Sequence, residues 1–168
     1  MTGPRRFDTV ALGTVKRGIW ETRVRIVEVR GASPPAVYAA FGGSIGEPHA
    51  SVADAKSYAE SATPGIVWRT DLRLLADESP CPICTMPVQS DARYPRRLCS
   101  ICMLEAVDAR GRGLSFSNVD ATGGFCASLD DGTVVSDGHV CFVRGVRCCA
   151  DEAHLGGIVV QVSEARTR

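Results

Sequence analysis

The sequence has little lysine, few histidines and few aromatic side chains, and it has no long hydrophobic run. Only Lys16 and Lys56 among its nineteen basic residues are lysines, and nineteen acidic residues bring the formal net charge to zero. A neutral chain does not bind nucleic acid or anionic membranes through bulk charge, although binding through a local basic patch is still an open alternative. No apolar run approaches the roughly 18 to 20 residues that span a membrane, and the N-terminus lacks the apolar core of a signal peptide. We therefore expect a cytoplasmic protein without a membrane partner.

The motifs of nucleotide-binding enzymes are also missing. The glycine-rich stretch 42–46 matches neither phosphate-binding glycine pattern, so we expect an ordinary loop there. The run 151–154 reads Asp-Glu-Ala-His like a helicase box, but no phosphate-binding loop accompanies it, and a one-turn helix is the simpler interpretation. The nearest approach to a nucleophile with a base is Cys148 or Cys149 with His154. These observations favour a protein without catalytic activity, and a cysteine-dependent redox protein or enzyme is an alternative.

Cysteine is what the chain does have. Four of its eight cysteines form two Cys-x-x-Cys pairs, Cys81 with Cys84 and Cys99 with Cys102, which are fourteen residues apart. Each pair can form a tight turn, or knuckle, that directs two sulfurs toward one point, and two knuckles complete a tetrahedron around Zn²⁺. Four thiolates leave no position for water or substrate, so the predicted zinc is structural. An iron or redox site and a disulfide framework are the alternatives, and a reducing cytoplasm argues against disulfides.

Three arginines lie between the two knuckles. Arg93, Arg96 and Arg97 stand there against the single acidic residue Asp91. Because Zn²⁺ with four thiolates carries a formal charge of minus two, guanidinium groups nearby are expected to compensate the charge. The same arginines also fit a nucleic-acid contact, because zinc ribbons can bind phosphates through such side chains. The sequence leaves both interpretations open.

The remaining cysteines lie in the C-terminal half. Cys126, Cys141, Cys148 and Cys149 do not have knuckle spacing, so we expect small buried apolar residues. A hairpin around Gly145 would bring Cys141 opposite Cys148 or Cys149, where oxidation in air is a risk. A second metal site that adds His139 and His154 is the less favoured alternative.

The fold class predicted from the pattern is α+β in two parts. Residues 1–78 form a small β-rich unit with one helix, and residues 79–168 form a four-cysteine zinc ribbon followed by antiparallel β-hairpins. In the first part, 7–15 and 19–29 predict a hairpin whose alternation slips by one residue between Ile26 and Val27, as a bulge or burial on both faces would explain. Ser51 is a good N-cap for a helix, and Trp20 and Trp68 are the expected core or interface anchors.

In the second part, residues 77–80 look like a linker into the first knuckle, and 103–109 like a short helix closed by glycines. Turns at 130–132 and at Gly145 predict two hairpins, and 158–162 a last strand.

The stretch from Cys81 to Gln161 resembles small uncharacterised bacterial proteins that have a zinc ribbon followed by a β-rich tail. The resemblance rests on an ordered set of motifs: Cys81-Pro82-x-Cys84, Tyr94-Pro95 before Leu98-Cys99-x-x-Cys102, Asp108 with Gly111-Arg112, Gly123-Gly124-Phe125, Cys141 with Gly145 and Cys148, and Ala150-Asp151-Glu152-Ala153 followed by Gly156-Gly157-Ile158-Val159. It implies an architecture and no activity, and residues 1–78 show no such resemblance.

Together these observations predict a structural zinc-binding interaction or regulatory module. An unidentified protein is the expected partner, and a nucleic acid bound through Arg93, Arg96 and Arg97 is the alternative.

Overall fold

The computed structural model describes residues 6–18, 20–30, 36–41, 44–136, 138–154 and 156–163. The chain divides into two compact units, and the division falls between Arg73 and Leu74. Within the described residues the protein is β-rich with two helices, and its strand pairs are all antiparallel. Neither helix in this part of the chain is long and apolar enough to cross a membrane.

The first unit is a five-stranded sheet with one helix packed on β2, β3 and β4. The strands lie in the order β4, β3, β2, β1, β5. Its elements are β1 (Phe7–Arg17), β2 (Trp20–Val29), β3 (Val37–Phe41), β4 (Ser44–His49), α1 (Val52–Ala62) and β5 (Val67–Trp68). The side chain of Trp20 and residues 42 and 43 of the predicted glycine-rich loop lie outside the described residues.

The predicted hairpin of β1 and β2 forms, and its register explains the slip in the apolar pattern. The pairing shifts between Thr9 and Ala11, so the irregularity lies on β1, directly opposite the step from Val27 to Ile26. Val24 and Ile26 belong to the core cluster that includes α1. Val27 is equally buried although its side chain points to the opposite face of the strand. The strand is thus buried on both faces, and the bulge is on its partner.

Helix α1 begins where the sequence predicts. The Ser51 side chain accepts a hydrogen bond from the backbone N–H of Asp54 at 3.1 Å, which satisfies one of the unpaired donors of the first turn. Ala55 and Ala59 are fully buried against the sheet. Small side chains on this face let the helix approach the strands closely, whereas Ala62 at the end of the helix is exposed.

Trp68 packs at the edge of this core, as the sequence predicts. Its indole N–H donates to Glu60 at 2.6 Å, and the Lys56 ammonium lies 5.1 Å from its ring centroid. Gly13 on β1 leaves room for the indole, because a Cβ at this position would lie 2.8 Å from Trp68 and 2.5 Å from Ile66.

The second unit is built of short strands in three small sheets. Its elements are β6 (Glu78–Pro80), β7 (Pro87–Gln89), α2 (Ser100–Met103), β8 (Leu114–Ser117), β9 (Cys126–Leu129), β10 (Val140–Val143), β11 (Val146–Glu152) and β12 (Ile158–Val162). The pairs β6–β7 and β8–β9 are two-stranded sheets, and β10, β11 and β12 form a three-stranded sheet. Two isolated bridges extend the last sheet, from Val107 to Phe142 on one side and from Arg97 to Gln161 on the other.

Several local predictions for this unit are confirmed. The turn at Gly145 joins β10 to β11, and both of its residues, Arg144 and Gly145, have the positive φ that a tight hairpin turn requires. The turn at 130–132 is closed by a bond from the Leu129 N–H to the Thr133 carbonyl. The strand at 158–162 is β12.

Three other predictions are wrong. The expected linker at 77–80 contains β6, which pairs with β7. The helix predicted at 103–109 instead begins at Ser100 and ends at Met103, because Cys99 caps it and Val107 bonds to the backbone of Phe142. Asp151 and Glu152 lie in β11 and not in a helical turn, since they pair with β12.

We predict that Gly13→Ala destabilises the first unit by about 1–3 kcal/mol, because the added methyl group must displace Ile66 and the Trp68 ring. Gly46→Ala is the matched control, since a Cβ there lies 3.6 Å from the Ala39 carbonyl and 4.0 Å from Tyr58. Urea unfolding followed by tryptophan fluorescence measures both variants. Equal stability of the two variants would contradict the packing described for Trp68.

Candidate metal centre

The four knuckle cysteines converge on one point. Their Sγ atoms all lie within 4.8 Å of one another, and those of Cys84 and Cys99 are 3.6 Å apart. Four sulfurs at a Zn–S distance of about 2.3 Å in a tetrahedron would be separated by about 3.8 Å. The spacing of the sulfurs therefore fits a tetrahedral metal ion, and all four predicted ligands are brought together.

The first knuckle is the turn between β6 and β7. The Cys81 N–H donates to the Met86 carbonyl at 2.9 Å, and the Thr85 N–H donates to the Cys81 carbonyl at 2.8 Å. Thr85 has a φ of 63°, a left-handed conformation that is uncommon for a β-branched residue. This conformation reverses the chain directly after Cys84, so both sulfurs of the pair lie on the same side of the turn.

The second knuckle is the start of α2. The Cys99 side chain takes the N-cap position and accepts a bond from the Cys102 N–H at 3.4 Å. The backbone N–H of Cys99 donates to the Cys81 sulfur at 3.3 Å, so a direct bond joins the two knuckles. Backbone N–H groups directed at sulfur stabilise a thiolate, which is the form that binds metal.

Burial and mutual contact perturb the pKa values of these thiols. Cys81, Cys99 and Cys102 are buried and Cys84 is half-buried. Hydrogen bonds from the neighbouring thiols, Cys102 first, hold the pKa of Cys81 well below its ordinary value. The bond to Cys81 in turn raises the pKa of Cys102 far above its ordinary value. The four groups therefore titrate as one cluster, and a dication that replaces their protons removes the repulsion between the thiolates.

The loop between the knuckles is attached to the last sheet. The Leu98 N–H donates to the Val160 carbonyl at 2.8 Å, and the Val162 N–H donates to the Arg96 carbonyl at 3.2 Å. The second knuckle is therefore held against β12 by backbone bonds that do not involve the cysteines.

Arg144 is the charged residue near the cluster that the sequence interpretation missed. Its Nε and Nη2 donate to the two carboxylate oxygens of Glu105 at 2.7 and 2.8 Å, and Glu105 is 5% exposed. The pKa of Arg144 is raised above its ordinary value, mainly by its hydrogen bonds to Glu105 and further by its electrostatic interaction with the cysteine cluster through Cys102 and Cys84. Arg144 and Glu105 are 39 residues apart in the chain, so no local sequence pattern predicts their ion pair. The sequence indicated only the turn at Gly145, next to Arg144.

The three predicted arginines are not equivalent. Arg93 and Arg97 line one cavity, together with Asp91 and Tyr94, and Arg96 is exposed and does not line it. The structure tests neither of the two roles predicted for these arginines, which are compensation of the thiolate charge and contact with nucleic acid. Both roles stay predictions.

The later cysteines form no second metal cluster within the described residues, where the knuckle cysteines are the single group of metal-ligating side chains. Cys141 and Cys148 are register partners on β10 and β11 and both are buried thiols. Burial raises the pKa of Cys141 to about 12 and that of Cys148 to about 11. Cys149 is exposed and Cys126 is half-buried. The expectation of buried apolar cysteines therefore holds for Cys141 and Cys148.

We predict that Arg144→Asn destabilises the second unit by about 3 kcal/mol, because it leaves the buried Glu105 carboxylate without its cation. Asparagine tolerates the positive φ of this turn position, so the loss reports the ion pair and not the turn. The measurement is the urea midpoint of the metal-loaded protein. Adding Glu105→Gln to this variant is expected to recover part of the loss. An unchanged midpoint in Arg144→Asn would show that the pair does not stabilise the unit.

Comparison with known proteins adds no relative to this description. No protein-family model matches the chain, and no match is found among curated proteins or solved structures.

Proposed function

We propose that the second unit is a zinc ribbon, in which Cys81, Cys84, Cys99 and Cys102 hold one Zn²⁺ with a structural role. The observation that carries the proposal is the convergence of the four sulfurs within 4.8 Å. Zinc is supported by the donor set, because four soft thiolates in a tetrahedron select zinc or iron. A set of four protein ligands leaves no open coordination position, so the ion supplies no Lewis-acid chemistry.

The small apolar core of this unit supports a structural role for the metal. Its largest fully buried side chains include Leu98, Ile101, Val143 and Val160, and the rest of the unit is short strands and turns. A unit with so little regular structure gains much of its stability from bound metal, because the binding free energy becomes folding free energy. The metal joins the β6–β7 turn to α2, and the bonds of Leu98 join α2 to β12.

On this basis we assign the protein a non-enzymatic role as an interaction or regulatory module. The closed ligand set and the burial of three of its four cysteines support this assignment. The alternative of a cysteine-dependent enzyme or redox protein is less favoured at Cys148, because burial raises the pKa of its thiol to about 11 and a thiol reacts as its thiolate. A turnover that is lost in Cys148→Ser or Cys149→Ser would replace the assignment by that alternative.

We predict that the purified protein contains one zinc per chain and no iron. Cys81→Ser and Cys102→Ser are expected to lose the metal and to unfold the second unit, because structural zinc contributes apparent binding free energies of about 10 kcal/mol or more. Cys149→Ser is the matched control, since Cys149 is exposed and is not among the four converging sulfurs. Elemental analysis and amide NMR spectra measure metal content and folding. A full complement of iron, or a second unit that stays folded without metal, would contradict the proposal.

We predict that alkylation of the native zinc protein at pH 8 modifies Cys149 long before Cys141 or Cys148. The pKa values of the two buried thiols, about 12 and about 11, leave only a small thiolate fraction at this pH, and that fraction rises about tenfold for each pH unit. Mass spectrometry of iodoacetamide-treated protein counts the modified sites. Rapid modification of Cys148 at neutral pH would favour the redox alternative.

A further inference from the structure

A cavity of about 230 Å³ lies within the second unit, between the loop that joins the knuckles and the turn from β11 to β12. The loop side contributes Arg93, Tyr94 and Arg97, and the turn side contributes His154 and Gly157. The cavity is smaller than the roughly 300–1,000 Å³ of pockets for drug-sized ligands. It therefore suits a small chemical group better than a large one.

The loop side is shaped by two consecutive turns. The Tyr94 N–H donates to the Asp91 carbonyl at 2.9 Å, and the Arg97 N–H donates to the Tyr94 carbonyl at 3.1 Å. A carboxylate oxygen of Asp91 accepts the backbone N–H of Arg93 at 2.9 Å. Among the described residues, Asp91 is the one acidic side chain that lines the cavity, and its carboxylate holds the turn.

The turn side is held to the loop by a direct bond. The backbone N–H of His154 donates to the Tyr94 hydroxyl oxygen at 2.8 Å, so the hydroxyl hydrogen of Tyr94 stays available as a donor. The N–H of Gly157 donates to the side-chain oxygen of Asn118 at 2.8 Å. Gly157 has a φ of 78°, and the space where its Cβ would lie is open. The wall of the cavity is therefore fixed by hydrogen bonds and carries no side chain at Gly157.

The two guanidinium groups are the unusual feature of this cavity. Among the described residues, the side chains of Arg93 and Arg97 have no hydrogen-bond acceptor and no carboxylate in ion-pair contact. The Nε atom of Arg97 is also buried. A buried charged donor without an acceptor is costly, and it calls for a partner beyond the described residues, such as a bound anion.

We propose that this cavity binds the terminal phosphate group of a small phosphate monoester. Two guanidinium groups and a hydroxyl donor match the charge and the acceptor oxygens of a phosphate dianion, and the charged hydrogen bonds of arginine to phosphate are the strong ones. A terminal group enters a small cavity, whereas the inner phosphodiesters of a nucleic acid carry one charge each and need an extended groove. The inference goes beyond the zinc ribbon and holds whichever metal the knuckles bind.

The test is calorimetric titration of the full-length, metal-loaded protein with glycerol 3-phosphate. We expect saturable one-to-one binding, and we expect Arg93→Gln and Arg97→Gln each to weaken it about tenfold or more. Arg110→Gln is the matched control, because Arg110 is an exposed arginine of the same unit that does not line the cavity. Metal content and amide NMR spectra of each variant are compared with the parent protein. Arg93 is exposed, so Arg93→Gln keeps the test valid if Arg97→Gln fails to fold.

Further titrations separate the sources of the phosphate. Inorganic phosphate that binds as tightly as glycerol 3-phosphate would identify the free ion as the ligand of the same cavity. Equal binding of acetate, or an equal loss in Arg110→Gln, would overturn the inference. So would the absence of saturable binding in metal-loaded protein, and that result would leave the zinc ribbon untouched. An oligonucleotide without terminal phosphates that binds more tightly than the monoester, and that depends on Arg93 and Arg97, would assign the arginines to nucleic acid instead.

Discussion

The convergence of four thiol groups is the constraint on which the second unit depends. Sulfur atoms this close repel one another once they ionise, so the arrangement is favourable only when protons or a cation lie between them. Backbone geometry supports the convergence at both knuckles. Thr85 adopts a left-handed conformation in the first, and Cys99 caps α2 in the second. The bond from the Cys99 N–H to the Cys81 sulfur then joins the two turns.

Charge near the cluster is arranged in two separate ways. Arg144 donates two hydrogen bonds to the Glu105 carboxylate, and it also interacts electrostatically with Cys102 and Cys84. This guanidinium group therefore has a structural role. Arg93 and Arg97 line a cavity, and among the described residues neither guanidinium group is in ion-pair contact with a carboxylate. The sequence pattern points only to the loop arginines for compensating the thiolate charge. Arg144, in the turn between β10 and β11, is a second candidate for this role. This separation is what leaves the loop arginines available to a ligand in our proposal.

The local predictions succeed where a few neighbouring residues decide the backbone. Ser51 starts a helix because its hydroxyl reaches the Asp54 N–H, and Gly145 turns a hairpin because the turn requires positive φ. They fail where a distant strand takes the same backbone groups. Residues 103–109 contain only the end of α2, since Val107 bonds to Phe142, and Asp151 and Glu152 join β11, since β12 pairs with them. Propensity is a weak prior in such cases, because tertiary pairing overrides it.

The sequence by itself determined the candidate ligand set, because a Cys-x-x-Cys turn is local and two such turns at this spacing indicate one tetrahedral site. It also determined the β-rich character, the β1–β2 and β10–β11 hairpins and the turn at 130–132, which depend on glycine and on alternation over a few residues. Only the tertiary structure decided the position of the bulge on β1, the Arg144–Glu105 pair and the cavity of Arg93 and Arg97. Each of these joins residues that are far apart in the chain. Such contacts depend on how the strands pair in space, which no short pattern of residues records.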